Sequence, residues 1–151
     1  MSDPGIANDC AIRPARREDA PALAPLSDQL GYPATPAQIA SRLGRILAAP
    51  AEIVLVAESG ARLVGWVHAA LTETVQSDRS AEVRGLVIDR ELRGAGVGRA
   101  LMGQVESWAR EQRCAVVTLR SNIVRSGAHA FYRRLGYTIV KTQHAFRKNL
   151  L

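Results

Sequence analysis

The chain has 151 residues, 47% of them hydrophobic and 23% charged, and carries a net charge of +6. That is one domain's length with an ordinary globular composition, enough to bury a core without disulfide staples. The longest apolar runs are far too short to span a bilayer, which excludes a transmembrane helix.

Met1 to Asp9 contains Asp3 and Asp9 and no apolar stretch. It reads as a disordered lead rather than a secretory signal, with a single domain over 10–151. Cys10 and Cys114 show neither CxxC nor metal spacing, so a reduced cytoplasmic protein is expected, with both cysteines buried in strands. The basic excess suggests an anionic partner. Lysine occurs only at Lys141 and Lys148, however, and the arginines are scattered. No aromatic-interleaved basic stripe appears, so nucleic acid is not an expected partner.

Cys10 to Arg13 predicts a first strand, closed by Pro14. Arg17 to Leu30 predicts a helix through Ala20, Leu23, Ala24, Leu26 and Leu30. Gly31, Pro33 and Pro36 break it. Thr35 then caps a second helix, with Pro36 at its first position and Gln38 completing a capping box. Ile53 to Ala57 and Leu63 to Leu71 predict a hairpin around Gly60. The stretch TETVQSDRS reads as a polar turn. Ala81 to Asp89 predicts a strand in which Gly85 marks a bulge or a close backbone approach. Val97 to Gln112 predicts a helix with Leu101, Val105, Trp108 and Ala109 inward. Ala115 to Leu119 predicts a buried strand, and Ser126 to Leu135 a short helix ended by Gly136. Tyr137 to Val140 predicts a last strand paired with Ala145 to Lys148. This order lacks strict βαβ alternation, so a mixed sheet with helices on both faces is expected.

The densest signal is LRGAGVGRAL, with Gly94, Gly96 and Gly98 at a strand-to-helix junction. Such bare backbone suits a phosphate. A P-loop needs a lysine that is not there, and the dinucleotide fingerprint fails at Arg99 and Leu101. The pattern that matches is R-x-x-G-x-G over Arg93, Gly94, Ala95, Gly96, Val97 and Gly98. It resembles motif A of the GCN5-related N-acetyltransferases (GNAT). AEVRGLVID before it resembles the family's bulged fourth strand, and SNIVRSGAHAFYRRLGY after it resembles the family's later motif.

The resemblance implies the GNAT fold, an α/β architecture with a mixed, mostly antiparallel sheet whose fourth and fifth strands splay apart. It implies acetyl-CoA as cosubstrate. The pyrophosphate would lie on the amides of 93–98, with Arg99 adding charge. The backbone of Leu86, Val87 and Ile88 would bind acetyl-pantetheine, with the Val87 N–H at the carbonyl oxygen. Asn122 would bond the pantetheine amides. Glu82 would take the amine's proton, directly or through water, with Asp78 and Glu73 as weaker alternatives. Tyr132 would protonate the leaving thiolate.

Tyr32 and His144 would border the acceptor pocket. His68 reads as core or rim, His129 as surface, and no metal is expected. The C-terminal third also resembles aminoalkylphosphonate N-acetyltransferases and, more loosely, aminoglycoside acetyltransferases, which favours a small-molecule amine. A protein or aminoacyl-tRNA acceptor stays open at this point, as does a silent acyl-CoA-binding module. Family members frequently pair through last strands or sheet edges, which makes a homodimer an expectation of the resemblance.

Overall fold

A computed structural model describes residues 10–121 and 126–151. The expected lead over 1–9 and Asn122 lie outside them. The chain divides into two compact units, Met1–Leu119 and Arg120–Leu151.

The described part of the first unit is built on a five-stranded sheet whose spatial order equals chain order. Its strands are β1 (Cys10–Pro14), β2 (Glu52–Ser59), β3 (Arg62–Thr74), β4 (Ser77–Ile88) and β5 (Val117–Leu119). The first four pair antiparallel. β4 and β5 pair parallel. The helices are α1 (Ala20–Leu30), α2 (Pro36–Ala48) and α3 (Val97–Glu111).

β2 reads as a continuous apolar run because it is covered twice. Val54, Leu55, Val56 and Ala57 are all buried. Val54, Val56 and Val87 pack with Leu23, Leu26, Ile39 and Leu43 of α1 and α2. On the opposite face Gly65 brings β3 close to α3. A β-carbon there would stand 3.4 Å from Leu101 Cδ1 and 2.9 Å from the Val87 carbonyl oxygen. Leu101, Met102 and Val105 fill that side with almost no exposure.

The predicted punctuation is present. The Thr35 Oγ accepts the Gln38 N–H at 3.1 Å, and Gln38 Oε1 accepts the Thr35 N–H at 3.0 Å. Gly31 closes α1 at φ +90°.

Three expectations are corrected. TETVQSDRS is not an open polar turn, because β3 runs to Thr74 and β4 starts at Ser77. Hydroxyl pairs extend the ladder, Thr72 to Ser80 at 2.9 Å and Thr74 to Ser77 at 2.7 Å. β5 is short and only partly covered, Val116 before it is exposed, and among the described residues β4 alone pairs with it. Cys114 precedes β5 instead of lying within it.

The second unit contains α4 (Ser126–Arg134). Gly136 ends it at φ +94°. Its N–H bonds the Arg133 carbonyl at 3.0 Å, and the Tyr137 N–H bonds the Tyr132 carbonyl at 3.0 Å. This is the paired C-terminal cap a glycine there predicts. The expected last strands at Tyr137–Val140 and 145–148 do not form. Residues 137–151 take up no regular secondary structure, and Ile139, Val140 and Phe146 are exposed. A β-branched run becomes a strand only where a neighbour supplies the ladder.

Candidate active site

The site begins at the bulge in β4. Gly85 pairs with His68 and Val83 with Ala69, so Arg84 is the extra residue between them. Both readings of Gly85 hold. The strand is bulged there, and the benzo ring of Trp66 approaches so closely that a β-carbon on Gly85 would meet it at 2.7 Å.

β5 pairs with β4 only at Ala81, Glu82 and Val83. Past the bulge, Leu86, Val87 and Ile88 pair, among the described residues, with β3 alone, opposite Val67, Trp66 and Gly65. The edge facing away from β3 is therefore open to an added extended ligand as far as β5 is concerned. Amide direction alternates along an unbroken strand. Asp89 donates its N–H to the Val64 carbonyl at 2.8 Å. By that alternation Val87 also turns its N–H to β3, and the amides of Leu86 and Ile88 face the open edge. The Val87 amide, expected at the acetyl oxygen, thus faces β3 and not the open edge.

The exit of β4 is pinned from two sides. Arg90 donates its N–H to Gln29 Oε1 of α1 at 2.9 Å. Buried Asp89 accepts the Glu91 N–H at 3.1 Å and pairs with Arg62 of β3. Burial pushes the Asp89 carboxyl upward, but the Glu91 N–H and Arg62 outweigh it and hold it below the ordinary carboxylate value. Nothing in the spacing of the motif announces these supports, because they come from α1 and β3.

The glycine turn follows. Gly94 and Gly96 lie at φ +86° and +88°, a region that L side chains rarely adopt. Gly96 is the N-cap of α3 and supplies no side-chain cap. The opening amides of α3 therefore meet neither a helical acceptor nor a capping side chain from that position. The helix presents its positive end here. Arg93 and Arg99 flank the turn and are exposed, while Val97 and Gly98 are buried.

Glu82 is partly buried on β4, on the sheet face shared by Ala70 and Glu52. Asp78 is exposed near the start of β4, and Glu73 is exposed near the end of β3. Tyr32 is 73% exposed in the α1–α2 connection. In the second unit, Tyr132 packs edge-on to Phe131 and Tyr137, at ring-centre distances of 5.1 and 6.1 Å. His144 is exposed. His68 is partly buried and bonded to Glu52 at 2.8 Å. Among the described residues no group of three His, Cys, Asp or Glu could hold a metal ion. No helix among them is long and apolar enough to cross a membrane.

A bulged strand, an edge that β5 leaves uncovered and a glycine turn feeding a helix follow one another along the chain from Val83 to Val97. The model of the Acetyltransferase (GNAT) family matches residues 17–137, and the chain belongs to that family of acetyl-CoA-dependent enzymes. An aminoglycoside N(6′)-acetyltransferase type 1 of Stenotrophomonas maltophilia is 28% identical over 150 residues, spanning 96% of this chain and 97% of that one. An uncharacterized N-acetyltransferase of Methanocaldococcus jannaschii is 29% identical over 84 residues, 54% of this chain, and the match spans 37% of the relative's length. The crystal structure of an aminoglycoside antibiotic 6′-N-acetyltransferase from Acinetobacter haemolyticus shares the fold, with a TM-score of 0.81 and 22% identity over 93% of this chain and 99% of that one.

Proposed function

We propose that this acetyltransferase acts on a primary amine of a small molecule, by direct transfer in a ternary complex with acetyl-CoA. The observation that carries the proposal is the end-to-end match to an aminoglycoside acetyltransferase. It includes the N-terminal half, where the α1–α2 connection lies.

The residues take the following roles. The amides of the Arg93–Gly98 turn and the N-terminus of α3 hold the pyrophosphate, with Arg99 beside it. Asn122 bonds the pantetheine amides. Leu86 and Ile88 bond the pantetheine arm as a strand would, and one of their amides supports the charge that develops on the acetyl oxygen. A donor of this kind contributes about 3 kcal/mol in other enzymes.

The amine nitrogen attacks the acetyl carbon, forming the C–N bond as the C–S bond breaks. Glu82 receives the proton lost by nitrogen, directly or through water. Tyr132 gives its phenolic proton to sulfur. The role of Tyr132 rests on the resemblance of SNIVRSGAHAFYRRLGY to the family's later motif. The roles of Tyr32 and His144 as acceptor contacts rest on the resemblance alone.

The test is release of free CoA thiol from acetyl-CoA across neamine, other aminoglycosides, aminoalkylphosphonates, polyamines, amino acids and short peptides. Turnover is expected with a small amine, aminoglycosides first. Silence across the panel with acetyl-CoA binding intact would overturn the small-molecule reading.

A further inference from the structure

Glu52, His68 and Arg84 have no part in the chemistry above, and they gather with Glu82 over one small residue. Glu52, Ala70 and Glu82 stand abreast on β2, β3 and β4. Ala70 is fully buried and short, so the two carboxylates flank a gap. His68 lies two residues before Ala70 on the same face. Its Nε2 is 2.8 Å from Glu52 Oε1. Arg84, the extra residue of the bulge, bridges the gap. Its terminal guanidinium nitrogen donates to Glu52 Oε1 at 3.2 Å, and its Nε donates to Glu82 Oε1 at 3.4 Å.

We propose that Arg84 is a positioning residue that sets the Glu82 carboxylate for its work, with Glu52 and His68 as its anchor. The inference rests on the reading of Glu82 as the proton acceptor.

A glutamate on a strand has several rotamers open to it, and a group that must meet one proton needs that freedom removed. The planar guanidinium fork presents donors in fixed directions, which lets one side chain address two carboxylates at once. The shorter contact lies on the Glu52 side, and Glu52 is itself bonded to His68. Arg84 is thus held from β2 and β3 and steers Glu82 on β4. The side chains of Glu52, His68 and Glu82 are 20%, 17% and 24% exposed, whereas Arg84, at 44%, covers them from the solvent side of the bulge. The bulge matters too. Arg84 has no ladder partner on β3, and its neighbour Gly85 is packed by Trp66, so the backbone that launches the guanidinium is fixed.

The test uses the full chain with saturating acetyl-CoA and neamine, or whichever panel amine turns over faster. Arg84→Ala should lower kcat about tenfold and leave the acetyl-CoA KM unchanged, a size in keeping with misplacing a catalytic group. Arg84→Lys, which keeps the charge without the fork, should recover part of the rate. The double variant Arg84→Ala/Glu82→Gln should be no slower than Glu82→Gln alone, because the arginine acts through that carboxylate. Glu52→Gln removes the anchor's charge while sparing Arg84, and it should slow kcat in the same direction, with Glu52→Ala, which removes the acceptor as well, slowing it further. Calorimetric acetyl-CoA affinity and melting temperature confirm folding for each variant.

A slow Glu82→Gln beside an Arg84→Ala or Glu52→Gln of undiminished kcat would overturn the positioning role alone. So would additive losses in the double variant. Full turnover in Glu82→Gln would overturn the proton-acceptor reading and the positioning role together.

Discussion

The ring of Trp66 occupies the place where a side chain on Gly85 would begin. Two of its ring carbons lie 2.7 and 2.8 Å from the position of a β-carbon there. Both residues face the side of the sheet covered by α1 and α2, so the ring has little room to withdraw. Gly85→Ala should therefore destabilise the protein by about 2 kcal/mol and lower Tm by several degrees. Trp66→Phe in the same background should recover part of the loss, because the shorter ring clears the new methyl. Equal melting temperatures for wild type and Gly85→Ala would refute the contact.

Gly96 caps α3 in the left-handed region. Gly96→Ala should cost about 1 kcal/mol through backbone strain alone. Gly96→Val should in addition abolish acetyl-CoA binding, because its branches enter the approach proposed for the pyrophosphate. Titration calorimetry separates the two effects. Intact affinity in the valine variant would remove the turn from the donor site.

Tyr132→Phe should keep acetyl-CoA affinity and lower kcat by on the order of a hundredfold, the usual size for loss of a general acid. The steady-state rate under saturating acetyl-CoA gives the answer. An unchanged kcat would take Tyr132 out of the chemistry and leave it with its ring contacts to Phe131 and Tyr137.

Arg13 bonds Asp19 through two nitrogens, at 2.8 and 2.9 Å, and Glu58 through a third at 3.0 Å. The Arg13 guanidinium, helped by the Arg16 N–H, holds the Asp19 carboxyl below its ordinary value against the upward push of burial. A carboxylate lowered on folding stabilises above its unfolded value of about 3.9, and that contribution disappears as pH falls through the folded value. Asp89 contributes with the same sign. Asp19→Asn should lower the urea midpoint at neutral pH and flatten the decline below about pH 4. An acid limb as steep as the wild type's would count against this pairing.

The capping box of α2 offers a smaller effect. Thr35→Ala removes the acceptor for the Gln38 N–H and should cost about 1 kcal/mol, read from the urea midpoint.

What the sequence disclosed and what it hid divide along a physical line. Signals carried by one segment were legible. Thr35 and Gln38 named their capping box, Gly136 its helix end, and Gly85 its bulge. The R-x-x-G-x-G pattern located the turn in which Gly94 and Gly96 do reach positive φ. Features that depend on a partner distant in sequence were not legible. Thr72 and Thr74 read as turn residues because their hydroxyl partners lie across a hairpin. Tyr137 to Val140 has strand composition but no ladder to join. Val87 was the natural candidate for the oxygen-facing amide until the Asp89 to Val64 bond fixed the alternation. Glu52 and His68 come from two other strands, and no local pattern links them to Arg84 and Glu82.

The match between strand order and chain order has a consequence for how the molecule assembles. Each of the first three pairings joins strands that are consecutive in the chain, and β2–β3 and β3–β4 close through short turns. Such local closures carry little loop entropy and form early. The parallel β4–β5 pairing must wait for α3 to cross over. During synthesis, the strands that present Glu82 and the open edge can therefore be in place before the last strand leaves the ribosome. A destabilising change in β3 should then slow the whole folding reaction, whereas one in β5 should mainly hasten unfolding.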